Sequence, residues 1–193
     1  NYSGPLLIKC TVEPGTTAAL SKQFPTLKLV HNPEFLTAAT AKSDFENQDH
    51  IVIGASSAVD DADVQIMTSF YQQAFPGAQI SHCTSTESES MKIFANSFYA
   101  VKIQFFNEMY ELCQKTGADY NKVRDMILKN GWVNPMHTNV PGTDGGLSYG
   151  GLCFPKDTNA LLHKMRSFGT PSKVLEATIE ERNSMRKDTD NCE

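Results

Sequence analysis

Short apolar runs alternate with helical patterns over roughly the first 80 residues of the chain. The runs predict strands at 6–10, 27–31 and 51–54, the first of them buried, and an edge strand at 78–81. A short helix up to about Lys22 and a helix over 60–74 are predicted between these strands, the second from apolar residues that share one helix face. Strands that alternate with helices are typical of an α/β layer with crossover helices.

From Ser85 onward the pattern is helical. Thr86 followed by Glu89 matches a capping box, which predicts a long helix over 86–116 that ends at Gly117. Its apolar residues fall on more than one face, so the helix needs cover on several sides. Two explanations stay open, namely a helix buried between two domains and a helix that contacts a second copy of the chain.

Further helices are predicted over 119–129, from a cap at Asp157, and from Pro171 to about 185. The segment 131–155 is rich in glycine and proline and has little periodicity. A loop of that length is usually functional or disordered. The polar residues 186–193 are interpreted as the end of a linker.

Composition excludes several classes of protein. A net charge of −5 without a basic run argues against nucleic acid as a partner. The five cysteines are widely spaced without a C-x-x-C pair, which indicates free thiols in a reducing compartment. Because no apolar run approaches membrane-spanning length, no membrane association and a cytoplasmic location are expected. The histidines share no metal-ligand spacing, so no metal site is predicted, and no G-x-G-x-x-G fingerprint occurs.

The segment 149–157 (YGGLCFPKD) places a cysteine between two glycines and a Pro-Lys-Asp triplet. A thiol is nucleophilic as the thiolate, and the ordinary cysteine pKa of about 8.5 leaves it mostly protonated at neutral pH. Lys156 supplies positive charge that favours the thiolate of Cys153, and Asp157 offers a carboxylate for proton transfer. Gly150 and Gly151 allow a bulky substrate to approach the backbone. The alternative is an inert buried cysteine in a glycine-rich turn.

Four polar residues outside that segment are further candidates. Glu34 follows a predicted strand, where α/β sheets place ligand groups, and its carboxylate suits a general base. Thr11 ends the preceding strand and offers a hydroxyl. Lys92 and Asn96 share a helix face, so an ammonium and an amide would donate to a developing oxyanion. The alternatives are a solvated Glu, a turn hydroxyl, and a solvated Lys and Asn.

Five segments in order along the chain resemble the UDP-glucose/GDP-mannose dehydrogenase family: CTVEPGTT (10–17), HNPEFL (31–36), ESMKIFANSF (89–98), FNEMYELC (106–113) and SYGGLCFPKD (148–157). The resemblance implies an α/β fold in which residues 1–83 form the C-terminal half of a Rossmann-type NAD-binding domain. Residues 84–193 would then form an all-helical central dimerisation domain with a long helix. Since the chain starts at Asn1 close to a predicted strand, an upstream portion with the glycine fingerprint is expected.

The family oxidises a sugar C6 alcohol to a carboxylate in two NAD-dependent steps. By resemblance, Cys153 attacks the aldehyde to form a thiohemiacetal, which is then oxidised to a thioester. Glu34 would activate the hydrolytic water, with help from Thr11, while Lys92 and Asn96 stabilise oxyanions.

The resemblance also implies the remaining contacts of the site. Asp157 would assist proton movement near the sulfur, and Thr11 and Lys156 would contact NAD. The implied contacts to a nucleotide sugar are Glu34, Phe35, Leu36, Lys92, Asn96, Tyr149, Gly150 and Gly151. A homodimer through the long helix is implied as well.

Three positions depart from the family pattern. They are Ala38 in place of a second glutamate, Ser148 at the start of the glycine motif, and His137-Thr138-Asn139 where an arginine is common. UDP-glucose is the predicted substrate, and GDP-mannose or another nucleotide sugar is the alternative. Two other functions stay open: a cysteine hydrolase or acyltransferase with Cys153 activated by His137 or His163, and a non-catalytic dimerisation module.

Overall fold

The computed structural model describes residues 4–37 and 39–186. Ala38 and the polar tail from 187 onward, with Cys192, therefore lie outside the described residues. The chain divides into two compact units, of which the first ends at Ile93 and the second begins at Phe94. The boundary at 83/84 that the sequence suggests stays a prediction.

The first unit is an α/β layer, as predicted. Its elements are β1 (Leu6–Ile8), α1 (Thr16–Gln23), β2 (Leu29–His31), α2 (Ala41–Glu46), β3 (His50–Ala55), α3 (Asp61–Ala74), β4 (Gln79–Thr84) and the start of α4 (Ser85–Thr116). The sheet has the order β1-β2-β3-β4. The pairs β1/β2 and β3/β4 are parallel, and β2/β3 is antiparallel.

The core of this unit lies between the sheet and α3. Val30, Ile51 and Ile53 from the central strands pack against Met67 and Tyr71 of α3. A capping box between Asp60 and Asp63 fixes the start of α3, since each side chain accepts from the other residue's backbone N–H.

Two expectations for this unit were wrong. The predicted buried strand 6–10 ends at Ile8, and Leu6 and Leu7 are 38% and 40% exposed. β1 lies at the edge of the described sheet, where it has one neighbouring strand. The predictions also missed α2, a six-residue helix without a buried residue and hence without an apolar period to reveal it.

The second unit is helical in its described part. It contains the rest of α4, α5 (Tyr120–Lys129), α6 (Cys153–Ser167) and α7 (Lys173–Met185). A cluster of Phe106, Cys113, Tyr120 and Val140 packs α4 against α5 and the following loop. Among the described helices, none combines the length and the apolar character needed to cross a membrane.

Two predicted caps in the helical part were wrong. Asp157 does not cap α6, because the helix begins four residues earlier at Cys153. Pro155 is tolerated there, since the first turn of a helix does not use its N–H groups. At the start of α4 the capping pair is Thr84 with Glu87, whose Oε2 accepts from Thr84 N at 2.7 Å. The Glu89 carboxylate instead accepts hydrogen bonds from Gly15 and Thr17 at the start of α1.

Candidate active site

Glu34 and Lys92 meet in the first unit. Lys92 Nζ donates to the carbonyl oxygen of Glu34 at 2.5 Å and lies 3.5 Å from its Oε1. The Lys92 side chain is 7% exposed, whereas that of Glu34 is 38% exposed. Glu34 Oε2 also accepts from Leu36 N at 2.6 Å. The carboxylate is therefore held in place and still reached by water.

Phe35 completes this group of predicted residues. The Lys92 ammonium lies 5.2 Å from the centroid of the Phe35 ring, within the range of a cation–π contact. The His50 ring also stacks on Phe35, with the two ring centroids 5.6 Å apart. Thus Glu34, Phe35, Leu36 and Lys92 form one cluster at the end of β2, and their contact with a substrate stays a prediction.

The residue before Pro33 anchors this segment. Asn32 donates from Nδ2 to the carbonyl oxygen of Val52 at 2.7 Å, and its Oδ1 accepts from Lys9 Nζ at 2.7 Å and from the Tyr71 hydroxyl at 2.5 Å. Burial lowers the pKa of Lys9. Because Asn32 is buried and bonded on three sides, the chain leaves β2 in one defined direction towards Glu34.

His31 connects β2 to α4. Its Nε2 lies 3.3 Å from the carbonyl oxygen of Cys10 and its Nδ1 lies 2.7 Å from Ser88 Oγ. A carbonyl only accepts, so Nε2 carries the proton and Nδ1 accepts from the Ser88 hydroxyl. Burial lowers the pKa of His31, in keeping with a neutral ring. Ser88 approaches β3 so closely that a Cβ at Gly54 would lie 2.5 Å from its Cβ.

Glu89 is an anchoring residue that the sequence did not reveal. Its carboxylate is fully buried and accepts from Gly15 N at 2.6 Å, from Thr17 N at 2.7 Å and from Thr17 Oγ1 at 2.5 Å. These are the orphan donors at the start of α1, whose N-cap Gly15 has no side chain to satisfy them. Glu89 thereby fixes the segment between β1 and α1, which contains the partly buried Thr11.

The second unit brings Asn96, Lys156 and Asp157 together. Asn96 Nδ2 donates to Asp157 Oδ2 at 2.6 Å, and Lys156 Nζ pairs with the other oxygen, Oδ1. Asp157 is 1% exposed, whereas the Lys156 side chain is 55% exposed. Both oxygens of a buried carboxylate therefore have donors, and the second N–H of the Asn96 amide points away from this pair.

Cys153 is the first residue of α6 and its thiol is exposed. The burial that the alternative interpretation of Cys153 assumed is therefore wrong, while its reactivity stays a prediction. Asp157 lies one turn further along the same helix. The thiol is thus accessible, whereas Asp157, one turn further along, is buried.

The residues before Cys153 divide into a buried and an open part. Tyr149 is buried beneath the Arg182 guanidinium, 5.7 Å from the ring centroid, and burial raises the pKa of its phenol. At Gly150 a Cβ would lie 2.5 Å from Arg186 Nη2, so a protein side chain fills the space that we expected a substrate to use. Gly151 has a φ of 76° and open space around it, which leaves this backbone accessible.

His137 packs beside the residue that follows the cysteine. Its ring centroid lies 5.6 Å from that of Phe154 and 5.1 Å from that of Tyr99. Burial lowers the pKa of His137. Its φ of 66° is unusual for a residue other than glycine. The sequence alternative, in which His137 activates Cys153, gains no support from a ring packed between two aromatic side chains.

Comparison with known proteins places these features in one class, the nucleotide-sugar dehydrogenases. Residues 5–75 match the NAD binding domain of the UDP-glucose/GDP-mannose dehydrogenase family, and residues 86–184 match its central domain. The chain belongs to the UDP-glucose/GDP-mannose dehydrogenase family. The predicted family and its cofactor NAD are confirmed at this level.

Individual relatives agree with this assignment. The chain is 36% identical over 152 residues to a UDP-glucose 6-dehydrogenase of Rhizobium meliloti strain 1021, which covers 78% of this chain and 33% of the relative. It is also 36% identical over 159 residues to UDP-glucose 6-dehydrogenase TuaD of Bacillus subtilis strain 168. That match covers 82% of this chain and 32% of the relative. The chain therefore spans about a third of the length of these relatives.

Solved structures show the same fold. A UDP-glucose dehydrogenase from Pyrobaculum islandicum superposes with a TM-score of 0.81 at 29% identity, over 93% of this chain and 41% of that chain. A UDP-D-ManNAc dehydrogenase from Pyrococcus horikoshii superposes with a TM-score of 0.75 at 21% identity. The match covers 93% of this chain and 41% of that chain. That the first unit is the C-terminal half of the NAD-binding domain stays a prediction.

Proposed function

We propose that the protein oxidises the C6 alcohol of UDP-glucose to the carboxylate in two NAD-dependent steps through a covalent intermediate on Cys153. The observation that carries the proposal is the exposed thiol at the first residue of α6, one turn from the buried Asn96–Asp157 pair. UDP-glucose is favoured over GDP-mannose because the 36% identical relatives are named UDP-glucose 6-dehydrogenases.

The first unit fits the cofactor that its family match implies. β1 and β2 are parallel, so their carboxyl ends meet at one edge of the sheet, where α/β proteins bind ligands. The segments that follow these strands carry Thr11 and Glu34, and buried bonds to Glu89 and Asn32 hold both segments. When bound, NAD would accept a hydride in each oxidation. Thr11 and Lys156 are the proposed contacts to it.

In the second oxidation, a covalent bond to Cys153 separates hydride loss from hydrolysis. The thiolate attacks the aldehyde carbon, a C–S bond forms, and the carbonyl electron pair moves to oxygen to give a thiohemiacetal. Loss of a hydride from that carbon re-forms the carbonyl as a thioester. Water then adds, the C–S bond breaks, and the sulfur leaves as thiolate with the carboxylic acid released.

The other residues supply hydrogen bonds and a base. Glu34, held by Leu36 N and reached by water, would take the proton of the attacking water. Lys92 uses two directions of its ammonium on Glu34 and offers the third to an oxyanion. Asn96 offers its second amide N–H in the same way, because Asp157 holds the first.

The activity test follows NADH at 340 nm in the complete protein with UDP-glucose and NAD. We expect Cys153→Ser to lower the rate by on the order of 10³-fold or more, because the covalent step is lost. Cys83→Ser is the matched control, since burial raises the pKa of the Cys83 thiol and keeps it unreactive. UDP-glucose should also protect Cys153 from thiol labelling. Wild-type rates in Cys153→Ser would contradict the proposal, and so would a wild-type protein that makes no NADH.

We also infer that the protein forms a homodimer through α4. Four large apolar residues of α4 are at least half exposed: Phe94, Phe98, Phe105 and Leu112. Next to them, a groove of about 610 Å³ lies between α4, α6 and α7 and is lined mainly by apolar side chains such as Val101 and Leu161. An exposed apolar surface of this kind marks an interaction site.

A further inference from the structure

The segment 142–150, called the glycine loop below, is folded on itself. Gly142 N donates to the carbonyl oxygen of Gly146 at 2.9 Å, and Gly145 N donates to that of Gly142 at 2.9 Å. Asp144 Oδ1 accepts from Gly146 N at 3.0 Å. The loop has no regular secondary structure, but it has its own internal hydrogen bonds. Its shape also depends on its contacts with residues of other elements.

α4 holds one side of the glycine loop. Ser148 N donates to Asn107 Oδ1 at 2.8 Å, and Ser148 Oγ donates to Gln104 Oε1 at 2.5 Å. Ser148 has a φ of 55°, a left-handed conformation that is costly outside glycine. Since Gln104 and Asn107 are both buried, these two bonds fix the serine in that conformation.

Arg186, directly after α7, holds the other side. Its Nη2 pairs with Asp144 Oδ2 at 2.6 Å and its Nη1 donates to the carbonyl oxygen of Leu147 at 3.0 Å. A Cβ at Gly146 would lie 2.6 Å from Arg186 Nη1, and one at Gly150 would lie 2.5 Å from Nη2. The guanidinium therefore packs directly against the backbone at both glycines.

The surroundings of this ion pair set it apart from an ordinary surface pair. An ion pair between two exposed side chains contributes little to stability and rarely holds a loop. The Arg186 side chain is 14% exposed and that of Asp144 is 48% exposed, and the planar guanidinium bonds a carboxylate and a carbonyl of the same loop at once. It links Asp144 to Leu147 within the glycine loop, and Tyr149–Gly151 lead from there into Cys153.

We propose that Arg186 is a positioning residue that holds the glycine loop in the conformation that receives the nucleotide sugar. This inference rests on the proposed function, in which Cys153, three residues beyond the glycine loop, reacts with that substrate. Without Arg186 the loop samples open conformations, and the apparent affinity falls in proportion to the competent fraction. The reaction of a substrate once bound does not change, because Arg186 itself touches no reacting atom.

The test compares Arg186→Ala and Asp144→Asn with a matched control, Arg166→Ala, in the complete protein. Arg166 pairs with a carboxylate outside the glycine loop: its Nε and Nη2 both donate to Glu176 Oε1, at 3.0 and 2.5 Å. We expect Arg186→Ala to speed amide exchange across 142–150 and to raise KM for UDP-glucose, each by roughly 10-fold, with kcat within about 2-fold. Asp144→Asn should shift both in the same direction by less, and Arg186→Lys should partly restore them.

The outcomes separate this inference from the proposed function. A wild-type protein that neither binds nor oxidises UDP-glucose sinks the proposed function, whatever the exchange data show. A wild-type enzyme whose loop exchange and KM are unchanged in Arg186→Ala and Asp144→Asn overturns the role of Arg186 alone. Equal effects in Arg166→Ala would reduce the role to general stability and count against the inference, as would a fall in kcat at unchanged KM.

Discussion

Three side chains in the first two turns of α4 each hold a different segment of the first unit. Ser88 bonds His31 at the end of β2, Glu89 bonds Gly15 and Thr17 at the start of α1, and Lys92 bonds Glu34. The segments that carry Thr11 and Glu34 therefore depend on one helix for their placement. A small shift of α4 would move both predicted catalytic residues of the first unit at once.

Replacement of Glu89 measures this dependence. Glu89→Gln keeps the size of the side chain but puts an amide donor where backbone donors point, so a buried N–H loses its partner. We expect the free energy of unfolding to fall by about 1–3 kcal/mol, the cost of an unsatisfied buried group. Glu108→Gln, an exposed change on the same helix, should stay within about 0.5 kcal/mol. Urea unfolding at neutral pH checks both, and equal stabilities in the two variants would refute the capping role.

His31 makes stability depend on pH. Because burial lowers its pKa from 6.5 in the folded state, the unfolded chain binds the proton more tightly. Its contribution to stability is complete above pH 6.5 and is lost as the pH falls towards the folded pKa. Glu89 opposes this shift, while Lys9 and Lys92 add to it.

The test is the difference in unfolding free energy between pH 7.5 and pH 5.5. We expect this difference to be smaller in His31→Gln than in the wild type, since glutamine does not titrate. His137 also has a lowered pKa and leaves a residual dependence, which His137→Gln would remove separately. If His31→Gln retains the full wild-type difference, another group is responsible for it.

At the level of elements, local sequence signals predicted whether a segment is a helix or a strand better than they predicted where it begins and ends. The apolar spacing in α3 and the length of α4 were both readable from the sequence, because each depends on residues within the helix. The burial of β1 was not, since it depends on how many strands lie beside it. Two overlapping capping patterns, Thr84–Glu87 and Thr86–Glu89, fit the start of α4, and the bonds from Gly15 and Thr17 to Glu89 decide between them.

In the candidate site, too, local signals were readable from the sequence and long-range contacts were not. The residue types at Cys153, Glu34, Lys92 and Asn96 suggested their chemistry, whereas their partners could not be inferred. Lys92 reaches Glu34 across 58 positions of sequence, and Asn96 reaches Asp157 across 61. Pairings at that distance are set by packing between elements. That Arg186 fills the space beside Gly150 could not be inferred, because the two residues are far apart along the chain.

For the whole molecule, the decisive question is what covers the exposed side of α4. At 100° per residue, Phe94, Phe98, Val101, Phe105 and Leu112 fall within a sector of about 60° on one face. They span about 27 Å along the helix. Phe106 and Cys113, which are buried, lie on another face. The helix is apolar on two sides, as its sequence predicted, and only one of these sides is covered within the described chain.

A second copy of α4 would cover that side symmetrically, since a two-fold interface presents the same residues twice. We expect the complete protein to be a dimer, and Phe98→Asp with Phe105→Asp to shift it to monomer by at least about 100-fold in dissociation constant, because charge would be buried in an apolar contact. Phe168→Asp is the matched control: this phenylalanine is 72% exposed and lies outside the α4 face. Sedimentation velocity over a concentration series measures the change. A monomeric wild type, or a double variant as dimeric as Phe168→Asp, would show that something other than a second α4 covers this face.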